Sequence, residues 1–316
     1  MLRKILSLIV VLALTLLPAA MAEDAAVRVG ALKGPTAMGM VEMMQDKPDA
    51  YEFTLAAAPD EIVPLLVKGE LDIAAVPANL GAVLYNNTQG AVRVLAINTL
   101  GVLYIVERGD TIHSVEDLKG RTLVTAGKGS TPEYALNYIL RGNGIDPEAD
   151  LTIEFKSEHA ECLAAMLQDE DVVAMLPQPF ATVAQTKADD MRVALDLTAE
   201  WDALQADAEA PSTLITGVAV ARAEFVEQNP DAVERFMADY AESVAFAQEN
   251  VADAAALIGQ FDIFEAGPAE KALPYCNIVF ISGNEMKEKL SGYLAELLAQ
   301  DPASVGGALP GEDFYY

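Results

Sequence analysis

The sequence predicts a two-lobed α/β fold in which one unit is used twice. A recurring turn, a recurring set of downstream residues and a regular alternation of strand and helix patterns point to it. Ala31-Leu32-Lys33-Gly34-Pro35-Thr36 and Ala126-Gly127-Lys128-Gly129-Ser130-Thr131 both read Ala-x-Lys-Gly-x-Thr, 95 residues apart. Glu61, Glu70, Ala74, Pro77 and Val83 recur at a spacing of 100 as Glu161, Glu170, Ala174, Pro177 and Val183. Two copies, each presenting lysine and glycine at the mouth of a helix, imply a ligand held between matching loops.

The first copy opens with the apolar run at Val27, expected to form a strand to Leu32. Further strands are expected at Tyr51–Ala57, Leu71–Val76 and Val92–Asn98, all rich in β-branched residues. Helices are expected between them at Thr36–Gln45, Asp60–Lys68 and Asn79–Asn86. Val102–Glu107 reads as one more strand, leading out of this set. Ser114-Val115-Glu116-Asp117-Leu118 has the spacing of a capped short helix.

The second copy places strands at Arg121–Ala126, Leu151–Lys156, Val172–Leu176 and Met191–Leu197. Its helices fall at Pro132–Arg141, Ala160–Leu167 and Phe180–Thr186. Strands alternating with helices imply mainly parallel sheets covered on both faces. After a helix at Trp201–Glu209, Thr213–Val220 reads as a strand. The rest is mostly helix, at Asp231–Asn250, Ala252–Gly259 and Glu285–Gln300. Two crossings, out near Val106 and back near Thr213, divide the chain into 23–106, 107–212 and 213–316, the last completing the first lobe.

Residues 1–22 have the anatomy of a secretion signal. Arg3 and Lys4 precede an apolar core from Ile5 to Leu17, and Ala20-Met21-Ala22 supplies the small residues for cleavage after Ala22. No cysteine lies near that point, so a soluble exported protein rather than a lipid-anchored one is expected, in the periplasm. Without Arg3 and Lys4, 18 basic residues face 48 acidic ones, a net charge of −30. Such a surface repels phosphate backbones and excludes nucleic acid as a partner class. The two cysteines, Cys162 and Cys276, fall in apolar helix and strand surroundings. Buried packing is expected for both, with a disulfide as the alternative that export would permit.

A strand ending in a glycine-containing turn before a helix points unpaired N–H groups and a positive dipole at one spot. Lys33 and Lys128 add a charge to each mouth, and Thr36, Ser130 and Thr131 add hydroxyls beside Gly34 and Gly129. The set suits a carboxylate, sulfonate or phosphate ester. The plain alternative is that glycine makes the turn and lysine faces solvent. Of the pair, Lys128, with glycine on both sides, is expected to be the stronger contact. Asn79 and Gln178 sit at the next matched strand ends, as ligand contacts or as helix starts. Asn98 and Thr99 end another strand, where ligands of open α/β sheets collect.

Chemistry beyond binding has little support in the sequence. His113 and His159 lie in unrelated contexts, with His159 expected at the surface and ligand contact as its alternative. No Cys/His spacing suits a metal, and Gly127-Lys128-Gly129-Ser130 is too short for a phosphate-binding loop. No cofactor is expected. Met38 to Met44 reads as helix core.

These features resemble the type II periplasmic substrate-binding proteins of ABC importers. The segment Ser114 to Leu123 is similar to the one that opens their second lobe. Leu71-Asp72-Ile73-Ala74 after Lys68-Gly69-Glu70, and Asp171-Val172-Val173-Ala174 before Gln178-Pro179-Phe180, look like the nitrate/sulfonate/taurine branch, which includes binders of thiamine pyrimidine precursors. That branch often carries glutamate where Gln178 stands. The resemblance implies a monomer that closes like a hinged clamp on a small anionic or zwitterionic molecule and delivers it to a membrane permease. The same fold also hosts biosynthetic enzymes of thiamine and menaquinone precursor type, an alternative that the export signal disfavours.

Overall fold

The structure, a computed structural model, describes residues 25–316; the signal-peptide reading falls outside them. Strands β1 (Val27–Leu32), β2 (Tyr51–Ala56), β3 (Ile73–Pro77) and β4 (Val92–Leu100) belong to one sheet. They are joined there by β10 (Ile215–Arg222) and β11 (Ile278–Ile281), in the order β11-β4-β10-β3-β1-β2. The second sheet is β7-β6-β8-β5-β9, from β5 (Leu103–Arg108), β6 (Thr122–Ala126), β7 (Thr152–Lys156), β8 (Val172–Pro177) and β9 (Met191–Asp196).

The duplication is visible in these orders. Each lobe has a parallel trio, β2-β1-β3 or β7-β6-β8, and then an inserted strand paired antiparallel on both sides. The inserted strands are the two that arrive from the opposite lobe, β10 and β5. A chain crossing over enters against the direction of the resident strands, so the sheets are mixed rather than mainly parallel. β5, expected as Val102–Glu107 to lead out of the first set, is a strand of the second sheet. The chain changes sheet at Gly101–Val102, and returns through residues 206–214.

Helices cover both sheets. The expected single helix at Thr36–Gln45 is two short ones, Pro35–Met38 and Val41–Asp46, separated at Gly39 and Met40. Gly39 lies where a Cβ would come within 2.8 Å of Ile278, so the chain bends at a point that has no room for a side chain. Met38, Met40 and Met43 are buried against Phe236 and Tyr240 of the long helix Pro230–Glu249. The helix Gly283–Gln300 packs on the other face, and the aromatic tail returns to the first sheet, with Phe314 buried and the Tyr316 amide donating to Val94 O. Cys162 and Cys276 are both buried free thiols. Among the described residues, no helix is long and apolar enough to cross a membrane.

A buried carboxylate pins each inserted strand. Asp72 accepts from Arg28 of β1 at 2.9 and 2.6 Å and from Arg222 of β10 at 2.9 Å. Glu107 of β5 is fully buried and accepts from Arg192 of β9 at 2.5 Å and from the Ile112 amide at 3.0 Å. Burial opposes ionisation of both carboxyls, but the hydrogen bonds outweigh it, and both are held below the usual carboxylate range.

Candidate functional site

A cavity of about 170 Å³ lies between the lobes, and the loops that follow corresponding strands of the two copies line it. After β1 come Lys33, Gly34 and Thr36; after β6, Gly127 and Ser130. After β2 come Ala57 and Ala58; after β7, Ser157, Glu158 and His159. Pro77 ends β3 and Pro177 ends β8, with Gln178 next to it. The parallel strands all deliver their carboxyl ends to one crevice, as open α/β sheets do.

Of the sequence-derived candidates, Lys33, Gly34, Thr36, Thr99, Ser130 and Gln178 line this cavity. Among the described residues Lys33 is the one cationic side chain in the lining; its Nζ lies 2.8 Å from Asp262 Oδ2. Thr36, Asn98 and Thr99 meet around Gly217 of β10, where a Cβ would fall 2.4 Å from Asn98 Oδ1. Only glycine permits that approach. Asn98 itself is fully buried, accepts from Thr99 Oγ1 at 3.1 Å, and sits beside the Tyr240 hydroxyl rather than on the cavity wall. Gln178 is almost wholly buried and folds back on its own helix, its Oε1 accepting from Thr182 N and Oγ1 at 3.1 and 2.7 Å.

Lys128, Gly129, Asn79 and Thr131 lie outside the lining. Lys128 Nζ stands 5.6 Å from the centre of the Phe155 ring. Gly127 and Gly129 on either side of it have φ of 84° and 73°, a left-handed pair that turns this loop differently from the one at Lys33. The Gly129 amide donates to Glu133. Asn79 and Thr131, both fully buried, join the two lobes instead: Thr131 Oγ1 donates to Asn79 Oδ1 at 3.3 Å, and Asn79 Nδ2 donates to Ser304 O at 3.0 Å.

The sequence pointed to no residue of the loop after β2, and in the loop after β7 only to His159, expected at the surface with ligand contact as the alternative. His159 begins the helix His159–Gln168 with its Nδ1 buried and without a partner, and its ring 5.9 Å from that of Phe180. Burial lowers its pKa to about 4, so the imidazole is neutral at neutral pH. Phe180 in turn meets Phe264 edge-to-face at 5.2 Å, bridging from the second lobe to the segment before the helix Ala266–Ala272. The spacing of 100 links Ala57 to Ser157, and applying the strand-end rule to β2 and β7 would have found both loops.

The arrangement defines a two-lobed α/β binding protein with a small interlobe cleft lined by apolar side chains, hydroxyls and a few charged or polar groups. A family model described as ABC transporter, phosphonate, periplasmic substrate-binding protein matches residues 41–271, and the chain belongs to that family. Membership brings an extracytoplasmic solute-binding role in an ABC import system. No curated protein matches the chain. Among solved structures, an ABC transporter from Parabacteroides distasonis is similar with a TM-score of 0.77 and 24% identity, covering 93% of this chain and 99% of that one. The periplasmic aliphatic sulphonate binding protein of Escherichia coli is similar with a TM-score of 0.72 and 18% identity, covering 93% and 92%. The alkanesulfonate-binding protein of Xanthomonas axonopodis pv. citri bound to MOPS has a TM-score of 0.72 and 15% identity, covering 92% and 98%. These likenesses establish the shared fold.

Proposed function

We propose that this chain captures a small anionic or zwitterionic molecule, of the sulfonate, nitrate, taurine or pyrimidine-precursor class, and hands it unchanged to a membrane permease. In this reading the signal is cleaved after Ala22 and the mature chain works as a monomer in the periplasm. The observation that carries the reading is the convergence of equivalent strand-end loops from both copies on one interlobe cavity. Lys33 supplies positive charge there, Gln178 and the neutral His159 supply polar edges, and Phe180 supplies an apolar wall. The chain passes between the lobes twice, at residues 101–102 and 206–214. A ligand touching both lobes binds the closed form better than the open one and shifts the population toward it.

Isothermal titration against sulfonates, taurine, nitrate, pyrimidines and small carboxylates tests this. One of these classes is expected to bind one-to-one and to be recovered unchanged, and small-angle scattering is expected to give a smaller radius at saturation. Chemical conversion of the ligand by the pure protein would move the reading to an enzyme. An unchanged scattering profile at saturation would remove the clamp.

A further inference from the structure

Carboxylates of the chain itself already occupy donors that frame the cleft. Glu61 Oε1 accepts from the amides of Ala57 at 3.0 Å and Ala58 at 3.1 Å. One repeat later, Glu161 Oε2 accepts from the Ser157 amide at 3.0 Å. Asp262, held at a left-handed φ of 54°, accepts from Lys33 at 2.8 Å. The four residues that donate, Ala57, Ala58, Ser157 and Lys33, all line the cavity. Four of the five lining hydroxyls also donate back into the chain: Thr36 to Leu32 O, Thr99 to Asn98 Oδ1, Ser130 to Gly127 O and Thr216 to Leu100 O. What such hydroxyls present to the cleft is lone pairs.

A helix N-terminus attracts an anion through unpaired N–H groups and a partial positive charge of about one half. A glutamate that satisfies those N–H groups and adds a full negative charge reverses that attraction. The cost to a ligand scales with the ligand's own charge. We propose that Glu61 and Glu161, together with Asp262, form a charge filter in which a singly charged or neutral polar head is accepted and a doubly charged one is disfavoured. The proposal rests on the cleft being the ligand site. It narrows the ligand class away from a phosphonate dianion, although the chain belongs to a family described by phosphonate. Helix capping alone would explain the hydrogen bonds, so the test must separate charge from capping.

Glu61→Gln/Glu161→Gln does so, because the amide oxygen still accepts from the same N–H groups. Methanesulfonate and methylphosphonate are matched in size, and in mildly alkaline buffer the first is singly and the second doubly charged. Titration calorimetry is expected to show the double variant gaining about three- to tenfold for methylphosphonate relative to methanesulfonate. Each single variant, which also serves if the double variant folds poorly, is expected to give part of that gain. Glu70→Gln/Glu249→Gln, which removes the same charge elsewhere, is expected to leave the ratio as in the parent. An unchanged ratio in the Glu61/Glu161 variants, or an equal gain in the control, overturns the filter while leaving the capture reading intact. Failure of parent and variants alike to bind either probe overturns the anionic-ligand reading, and the filter with it.

Discussion

Lys33→Ala is expected to weaken binding of a singly charged anion about tenfold, whereas Lys128→Ala stays within about twofold of the parent. A charge-assisted hydrogen bond contributes roughly 1.5–3 kcal/mol, and a factor of ten corresponds to about 1.4 kcal/mol. The lower end applies, because the Lys33 side chain is 36% exposed and a ligand must draw it away from Asp262. That ion pair, with the Asp262 side chain 96% exposed, is a weak, solvent-screened contact. It therefore tempers the affinity without blocking it. Lys128 lies over Phe155 outside the cavity lining, so its removal is expected to leave binding nearly unchanged. Calorimetry on both variants checks the order, and equal losses would mean that the two loops rearrange symmetrically on binding. Thermal stability should barely change in either variant, since each lysine is exposed.

The largest effect on stability is expected from Asp72→Ala, which leaves Arg28 and Arg222 without the carboxylate that joins β1 to β10. Breaking a buried charge pair by removing one partner costs about 3–5 kcal/mol. The arginine side chains here are 37% and 21% exposed, so about 3 kcal/mol is the better figure. For a chain of this size that lowers the melting temperature by roughly 6–10 °C. The pH dependence carries the same signature. A carboxyl whose folded pKa lies below its unfolded value contributes stability that is present above about pH 4 and is lost as the pH falls through the folded value. The difference in melting temperature between parent and Asp72→Ala should therefore be full at pH 7 and shrink below about pH 4. A difference that grows in acid would refute the ion-pair account.

Much of the architecture could be read from the sequence, because the duplication leaves matched residues at constant spacing and hydrophobic periodicity reports each element locally. Glu61 and Glu161 recur because they cap equivalent helices beside the same cleft. The antiparallel insertion of β5 and β10 could not be read that way: a strand's pattern reports its burial, not the direction from which it enters a sheet. The cavity lining was legible where it follows from strand ends, as at Lys33, Thr36, Thr99, Ser130 and Gln178. It was not legible at Lys128, because the sequence shows that two glycines flank it but not that both take the left-handed conformation that shapes this loop. Asn79 and Thr131 have polar side chains that would serve a ligand equally well, but burial between the lobes commits them to each other. His159 was obscured by a charged neighbourhood that suggests solvent, although its imidazole Nδ1 is buried.

The central claim is that one small molecule sits between the lobes, and native mass spectrometry of the exported protein, purified without denaturation, tests it most directly. The parent is expected to carry one small-molecule adduct per chain, released unchanged on unfolding. Ala58→Trp, which fills a cavity of about 170 Å³ from its wall, is expected to carry none while keeping the parent's circular dichroism spectrum. An adduct retained by Ala58→Trp at the parent's stoichiometry would contradict the account, because the ligand would then lie somewhere other than the cleft.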